Sequence, residues 1–134
     1  LAIEFSETYF CLKSKQMQKK IYHLSTCSTC KRIIKELELP ESFEFQDIKT
    51  IKISEEELTD LCMLAGSYEA MFSRRSRSYK ALGLKDVDLA ELDMRDLILK
   101  DYTFLKRPVI RMGNGIFIGN SPKEIERLKG RLKA

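Results

Sequence analysis

Two cysteines three residues apart, in Ile21-Tyr-His-Leu-Ser-Thr-Cys27-Ser-Thr-Cys30, stand where an apolar run gives way to a helical pattern. A thiol at the amino end of a helix meets unpaired backbone N–H groups and the positive end of the helix dipole, which favour a thiolate or a bound oxyanion. An unperturbed thiol is only about 3% ionised at neutral pH, and one near pKa 6.5 would be about three-quarters ionised. That gain of roughly 25-fold in thiolate is offset roughly 6- to 10-fold by lower intrinsic nucleophilicity. A specific activity therefore needs other groups that hold the electrophile. Cys27, at the first turn, reads as the nucleophile. Cys30 lies one turn further on the same face and can attack an adduct on Cys27. Half a zinc site and two inert thiols are the competing readings, and no second Cys-x-x-Cys or histidine-rich spacing completes a zinc set.

Three further features could serve such a thiol. His23, the single histidine, lies four residues before Cys27. It is either a packed strand residue or a nearby cation that helps hold the thiolate. Arg74-Arg75-Ser-Arg77 and Lys106-Arg107-Pro108 each read as a solvated charged face when taken alone. Beside a thiolate they could form an oxyanion cradle, because guanidinium forks match tetrahedral anions. Pro108 opens a strand, and its X-Pro bond is a candidate for cis.

The elements that must position these residues follow in chain order. Ile21 to Leu24 forms a strand, and Ile33, Ile34 and Leu37 mark an amphipathic helix ending before Pro40. Phe43, Phe45 and Ile48 alternate with polar residues as a second strand, giving a right-handed βαβ unit with parallel strands. Ser54 and Glu57 form a capping box for a helix through Leu58, Leu61, Cys62 and Leu64, stopped by Gly66. Cys62 falls on its apolar stripe and reads as a buried structural thiol. Residues 68–100 break into short helical pieces around Gly83. Val109–Met112 and Ile116–Gly119 form a hairpin with an Asn-Gly turn, and Asn120-Ser121-Pro122 caps a last helix carrying Ile125 and Leu128 inward. This order predicts an α/β fold, a thioredoxin-like mixed β-sheet with a helical insertion between the βαβ unit and the C-terminal β-hairpin.

With 134 residues, 43% hydrophobic and 33% charged, the chain has the size and composition of one ordinary globular domain. A net charge of +4, evenly spread, does not argue for nucleic-acid binding. No apolar run reaches membrane-spanning length, and residues 1–16 lack the features of a signal peptide. Those residues read as an N-terminal extension that need not be native, with Met17 as a start, Cys11 as a bystander and the domain proper at 17–134. Four cysteines without a secreted scaffold's spacing predict a cytoplasmic protein, and the chain is expected to be a monomer.

From about Lys19 onward the chain resembles the arsenate reductase (ArsC) and Spx family of thioredoxin-fold proteins. The resemblance rests on Ile21 to Arg32, on Arg75 through Tyr79-Lys-Ala-Leu-Gly-Leu84, and on Lys106-Arg107-Pro108-Val-Ile. It implies that Cys27 attacks arsenate, that His23 lowers its pKa, that Arg75 and Arg107 bind the oxyanion and that Pro108 is cis and faces the cysteine. It implies no metal or bound cofactor, with glutathione or glutaredoxin as the reductant. Two departures stand out. The third arginine usual on the hairpin's return strand is replaced by Gly115-Ile-Phe-Ile-Gly119, the nearest arginine being Arg111 on the preceding strand. The Cys-x-x-Cys pair also resembles the redox switch of Spx regulators, which implies an alternative as a regulator binding the RNA polymerase α subunit.

Overall fold

The computed structural model describes residues 18–133. The expected extension at 1–16, the Met17 start and Cys11 lie outside the described residues. Strand β1 (Lys19–His23) leads into helix α1 (Ser28–Leu37), and the chain returns through β2 (Glu44–Asp47) parallel to β1. Helix α2 (Glu55–Ala65) follows, then an insert containing α3 (Arg77–Ala81) and α4 (Glu91–Lys100) with short 3-10 turns between. Strands β3 (Val109–Met112) and β4 (Gly115–Ile118) form the hairpin, and α5 (Pro122–Lys133) closes the chain. The four strands run in the order β2-β1-β3-β4, with β3 antiparallel to both neighbours. This is the thioredoxin-like mixed sheet with helical insertions that the order of elements predicts.

Alternation along β1 divides the core. Ile21 faces α1 and α5, joining Ile33, Leu37, Ile110, Phe117 and Leu128, whereas Tyr22 faces α2 and the insert with Leu58, Leu61, Ile98 and Phe104. Side chains of the α1 stripe, Cys30, Ile33 and Leu37, are buried, so the helix is held by one face, and it ends where Glu38 turns left-handed at φ 48°. Helix α2 begins at the reciprocal Ser54–Glu57 cap and stops at Gly66, whose φ of 92° favours glycine. Glu57 does more than cap. Its second oxygen accepts from the buried Lys20 ammonium at 3.1 Å, and it also bonds the Tyr22 hydroxyl, whose pKa rises through burial and then this carboxylate.

Three local expectations are corrected. The hairpin turn is centred on Gly113-Asn114 rather than Asn-Gly, since Met112 pairs with Gly115 and only Gly113 (φ 60°) takes a positive φ. A glycine at the first turn position meets the primed-turn requirement without help from Asn114. In β2 the expected burial is inverted, with Phe45 47% exposed and Gln46 5%. Gln46 shares the Tyr22 face, and its amide is satisfied by the Ile51 carbonyl at 3.0 Å, which permits burial at the sheet edge. Cys62 is half-buried at the margin of the core rather than within it.

Candidate active site

Cys27 occupies the N-cap of α1 in extended conformation, and its N–H donates to the Leu24 carbonyl at 3.0 Å across a tight turn. Ser25 in that turn donates to Asp47 at 2.5 Å, tying the loop to the end of β2 and holding the Asp47 carboxyl down at about 2. Cys27 is half-exposed and Cys30 fully buried. Partial burial by itself would push the Cys27 thiol up. The N–H groups of Cys30 and Thr29, the Cys30 thiol and the Arg107 charge outweigh it, and the thiol falls below its ordinary value. Cys30 moves the other way, since burial pushes it up to about 11 and the charge on Cys27 adds to the rise. The site thus biases one sulfur toward the thiolate and holds the thiol beside it more firmly protonated.

Cys27 opens onto a cleft of about 770 Å³ whose walls come from distant parts of the chain. The insert supplies Phe72, Arg74 and Arg75; the segment before β3 supplies Leu105, Lys106 and Arg107. The Arg107–Pro108 peptide is cis. Arg74 is engaged, lying 3.7 Å from the Glu69 carboxylate and over the Phe72 ring. Neither Arg75 nor Arg107 makes an ion pair or hydrogen bond among the described residues. Two guanidinium forks therefore share the cleft with the sulfur and are unoccupied by protein acceptors, an arrangement that can hold an anion.

The remaining expected groups lie elsewhere. The His23 ring packs edge-on to Phe45, with centroids 5.8 Å apart. It does not line the cleft. Arg111 is buried, donates to the Gly113 carbonyl at 3.0 Å, and lies outside the cleft. The wall after β4 is instead uncharged, formed by Ile118, Gly119, Asn120 and Ser121. Sequence reasoning missed this wall because Asn120-Ser121 reads only as a helix cap, which it also is, Ser121 Oγ accepting from the Glu124 N–H at 3.2 Å. Among the described residues, no group of three or more His, Cys, Asp or Glu side chains is placed to hold a metal ion.

A family model described as the ArsC family matches residues 22–128, from the strand before the cysteines into α5. The chain belongs to the ArsC family. Among solved structures, the arsenate reductase from Vibrio cholerae is 22% identical, with a TM-score of 0.69 over 83% of this chain and 97% of that one. An arsenate reductase (ArsC) related protein from Brucella melitensis is 24% identical, with a TM-score of 0.65 over 83% and 93% of the respective chains. A protein from Staphylococcus aureus gives 23% identity and a TM-score of 0.65 over 82% and 97%. These likenesses establish the ArsC and Spx-like thioredoxin fold. No curated protein matches the chain in sequence. Family membership supports a thiol-based redox role of the oxidoreductase kind. Among the described residues, no helix is long and apolar enough to cross a membrane.

Proposed function

We propose that this ArsC-family chain is a thiol-dependent oxidoreductase of the glutaredoxin-coupled arsenate reductase type. Cys27 is the nucleophile, Arg75 and Arg107 hold the anion, and Cys30 is the resolving thiol. The observation that carries the reading is a lowered thiol pKa on Cys27 facing a cleft with two guanidinium groups that have no ion-pair or hydrogen-bond partner among the described residues. With arsenate, the thiolate displaces water from the protonated oxyanion and forms a sulfur–arsenic bond. Glutathione and glutaredoxin then supply the two electrons, ending as disulfide while arsenic(V) becomes arsenic(III). With a disulfide, the thiolate attacks one sulfur and expels the other as a thiolate. Cys30 next loses its proton, attacks the Cys27 sulfur of the mixed disulfide, releases the second thiol and closes a Cys27–Cys30 disulfide. His23, expected to lower the Cys27 pKa, stands at the end of β1 with its ring against Phe45 and is assigned no direct step.

The deciding experiment is arsenate turnover with glutathione and glutaredoxin, run beside reduction of a small mixed disulfide by the same enzyme. Cys27→Ser abolishes turnover of either substrate, and Arg75→Ala or Arg107→Ala raises KM for the anion more than it lowers kcat. Full activity in Cys27→Ser overturns the reading. Absence of all turnover, with redox-dependent retention of the RNA polymerase α subunit, would support the Spx-like regulator in its place.

A further inference from the structure

Arg75 and Arg107 lie 32 residues apart in sequence, and among the described residues no hydrogen bond holds either guanidinium. Something else must bring their backbones together. The two segments that carry them, 71–76 and 103–107, are joined in three tiers. At one end is a backbone bridge, with Phe72 paired antiparallel to Leu105, Ser73 N–H donating to Phe104 O at 2.7 Å and Lys106 N–H donating to Met71 O at 2.8 Å. Next to it the Phe72 and Phe104 rings stack with centroids 5.4 Å apart. The third tier is polar and centred on the Asp101 carboxylate.

Asp101 Oδ1 accepts from the Thr103 N–H at 2.9 Å and from the Thr103 hydroxyl at 2.8 Å, and Oδ2 accepts from the Ser78 hydroxyl at 2.5 Å. Ser76 Oγ lies 2.7 Å from Thr103 Oγ1 and accepts from the Ser78 N–H at 3.1 Å. Thr103 Oγ1 also lies 3.4 Å from Ser78 Oγ, so the three hydroxyls and the carboxylate form one connected cluster. The carboxylate can only accept, so Thr103 and Ser78 both point their protons at it, and Ser76 must then donate to Thr103. A single negative charge thus favours one direction for the Ser78 and Thr103 hydroxyls. Ser76 is 8% exposed and directly follows Arg75; Thr103 stands four residues before Arg107. The ionised carboxylate is favoured by these donors and by Lys52, against the effect of burial. It forms no ion pair with either arginine, so it aligns them without competing for their charge.

We propose that Asp101, acting through Thr103, Ser76 and Ser78, is the positioning group that sets Arg75 and Arg107 in the cleft onto which Cys27 opens. A backbone bridge and stacked rings hold two segments together but tolerate small slides and rotations. A directional cluster at the far end removes that freedom, and guanidinium forks need it removed because anion capture depends on their angle. The inference rests on the reading of Arg75 and Arg107 as an anion cradle, and its test does not depend on any turnover.

The test compares alkylation of Cys27 by iodoacetate, an anion, with alkylation by neutral iodoacetamide, quantified at Cys27 by peptide mass spectrometry. Both reagents meet the same thiolate fraction, so the ratio of the two rates reports the positive field at the sulfur. Arg75→Ala and Arg107→Ala set the scale of its loss. Asp101→Asn and Thr103→Val are expected to lower the ratio roughly 3- to 10-fold, the effect of moving one nearby cation away in a partly solvated cleft. Thr103→Ser keeps the hydroxyl and is expected to keep the wild-type ratio. A cluster that serves stability alone would lower the thermal midpoint and leave the ratio in place, which overturns the proposal. A ratio insensitive to Arg75→Ala and Arg107→Ala also overturns it, together with the anion cradle. If the ratio falls in the cluster variants while the wild-type chain reduces neither arsenate nor disulfide, the positioning role stands and the proposed function fails. Should Asp101→Asn not fold, Thr103→Val with its serine counterpart carries the same comparison.

Discussion

At the scale of single residues, Cys27 and Cys30 are the same chemical group placed in opposite environments. One meets helix N–H groups and Arg107; the other meets the core, and its pKa of about 11 leaves about one molecule in ten thousand ionised at pH 7. Resolution by Cys30 must therefore follow adduct formation, because bonding Cys27 to an electrophile removes the negative charge that helps raise Cys30. The pH profile of iodoacetamide labelling tests this. Reaction at Cys27 follows thiolate, so its rate rises with pH and reaches half-maximum below the ordinary thiol value. Cys30 stays unlabelled until far more alkaline pH. Cys30→Ala removes both a neighbouring thiol and its stabilising effect, so the Cys27 midpoint moves toward alkaline pH. A midpoint that stayed put would mean that the helix terminus and Arg107 alone support the thiolate. The cysteine pair and the two arginine segments were legible in the sequence because each is a short local pattern. Where Arg111 and His23 would point was not. Strand alternation gives a face but not which neighbour covers it, and Arg111 satisfies itself on Gly113 while His23 meets Phe45.

Among the elements, helix α2 shows how a local signal can carry a longer-range duty. The Ser54–Glu57 box is readable from spacing, and it forms as expected. The same Glu57 carboxylate then faces Lys20 and Tyr22 on β1, which no local pattern announces. Lys20 is 8% exposed and its other carboxylate, Glu44, stands 3.8 Å away on a largely exposed side chain. Removing Glu57 leaves a buried ammonium with a weak partner, so Glu57→Ala should cost about 2 kcal/mol, less than a fully buried pair because Glu57 is partly solvated. Ser54→Ala loses only the cap and should cost about 1 kcal/mol. Chemical denaturation of both variants separates the two duties of Glu57, and equal losses would show that the Lys20 contact contributes nothing. The hairpin turn and β2 failed at this same scale for related reasons. Gly113-Asn114-Gly115 offers two turn phases, decided by the Met112–Gly115 pairing, and Gln46 could be buried only because Ile51 returns a carbonyl to it.

Across the whole molecule, the sheet separates two cores with different relations to the site. The α1 and α5 side supports the helix that presents Cys27, whereas the α2 and insert side supports the segments that present Arg75 and Arg107. The order of elements gave away the sheet, since a βαβ unit followed by a hairpin has few ways to close. The joining of residues 71–76 to 103–107 did not show in sequence, because it depends on contacts between short segments outside the strands and longer helices. Matched cavities on the two sides expose the difference. Ile98, on α4 one turn before Asp101, and Leu128, on α5, are each 1% exposed. Truncating either to alanine should cost roughly 2–4 kcal/mol by the same loss of transfer energy and packing. The consequences at the site diverge. Ile98→Ala loosens the foundation of the Asp101 cluster and should lower the iodoacetate preference of Cys27 along with the anion affinity. Leu128→Ala should leave that preference near wild type at an equal stability loss. Denaturation curves establish the match, and the alkylation ratio then reads the site. Equal ratios in the two variants would mean that general loosening, not the insert's own packing, governs the arginines.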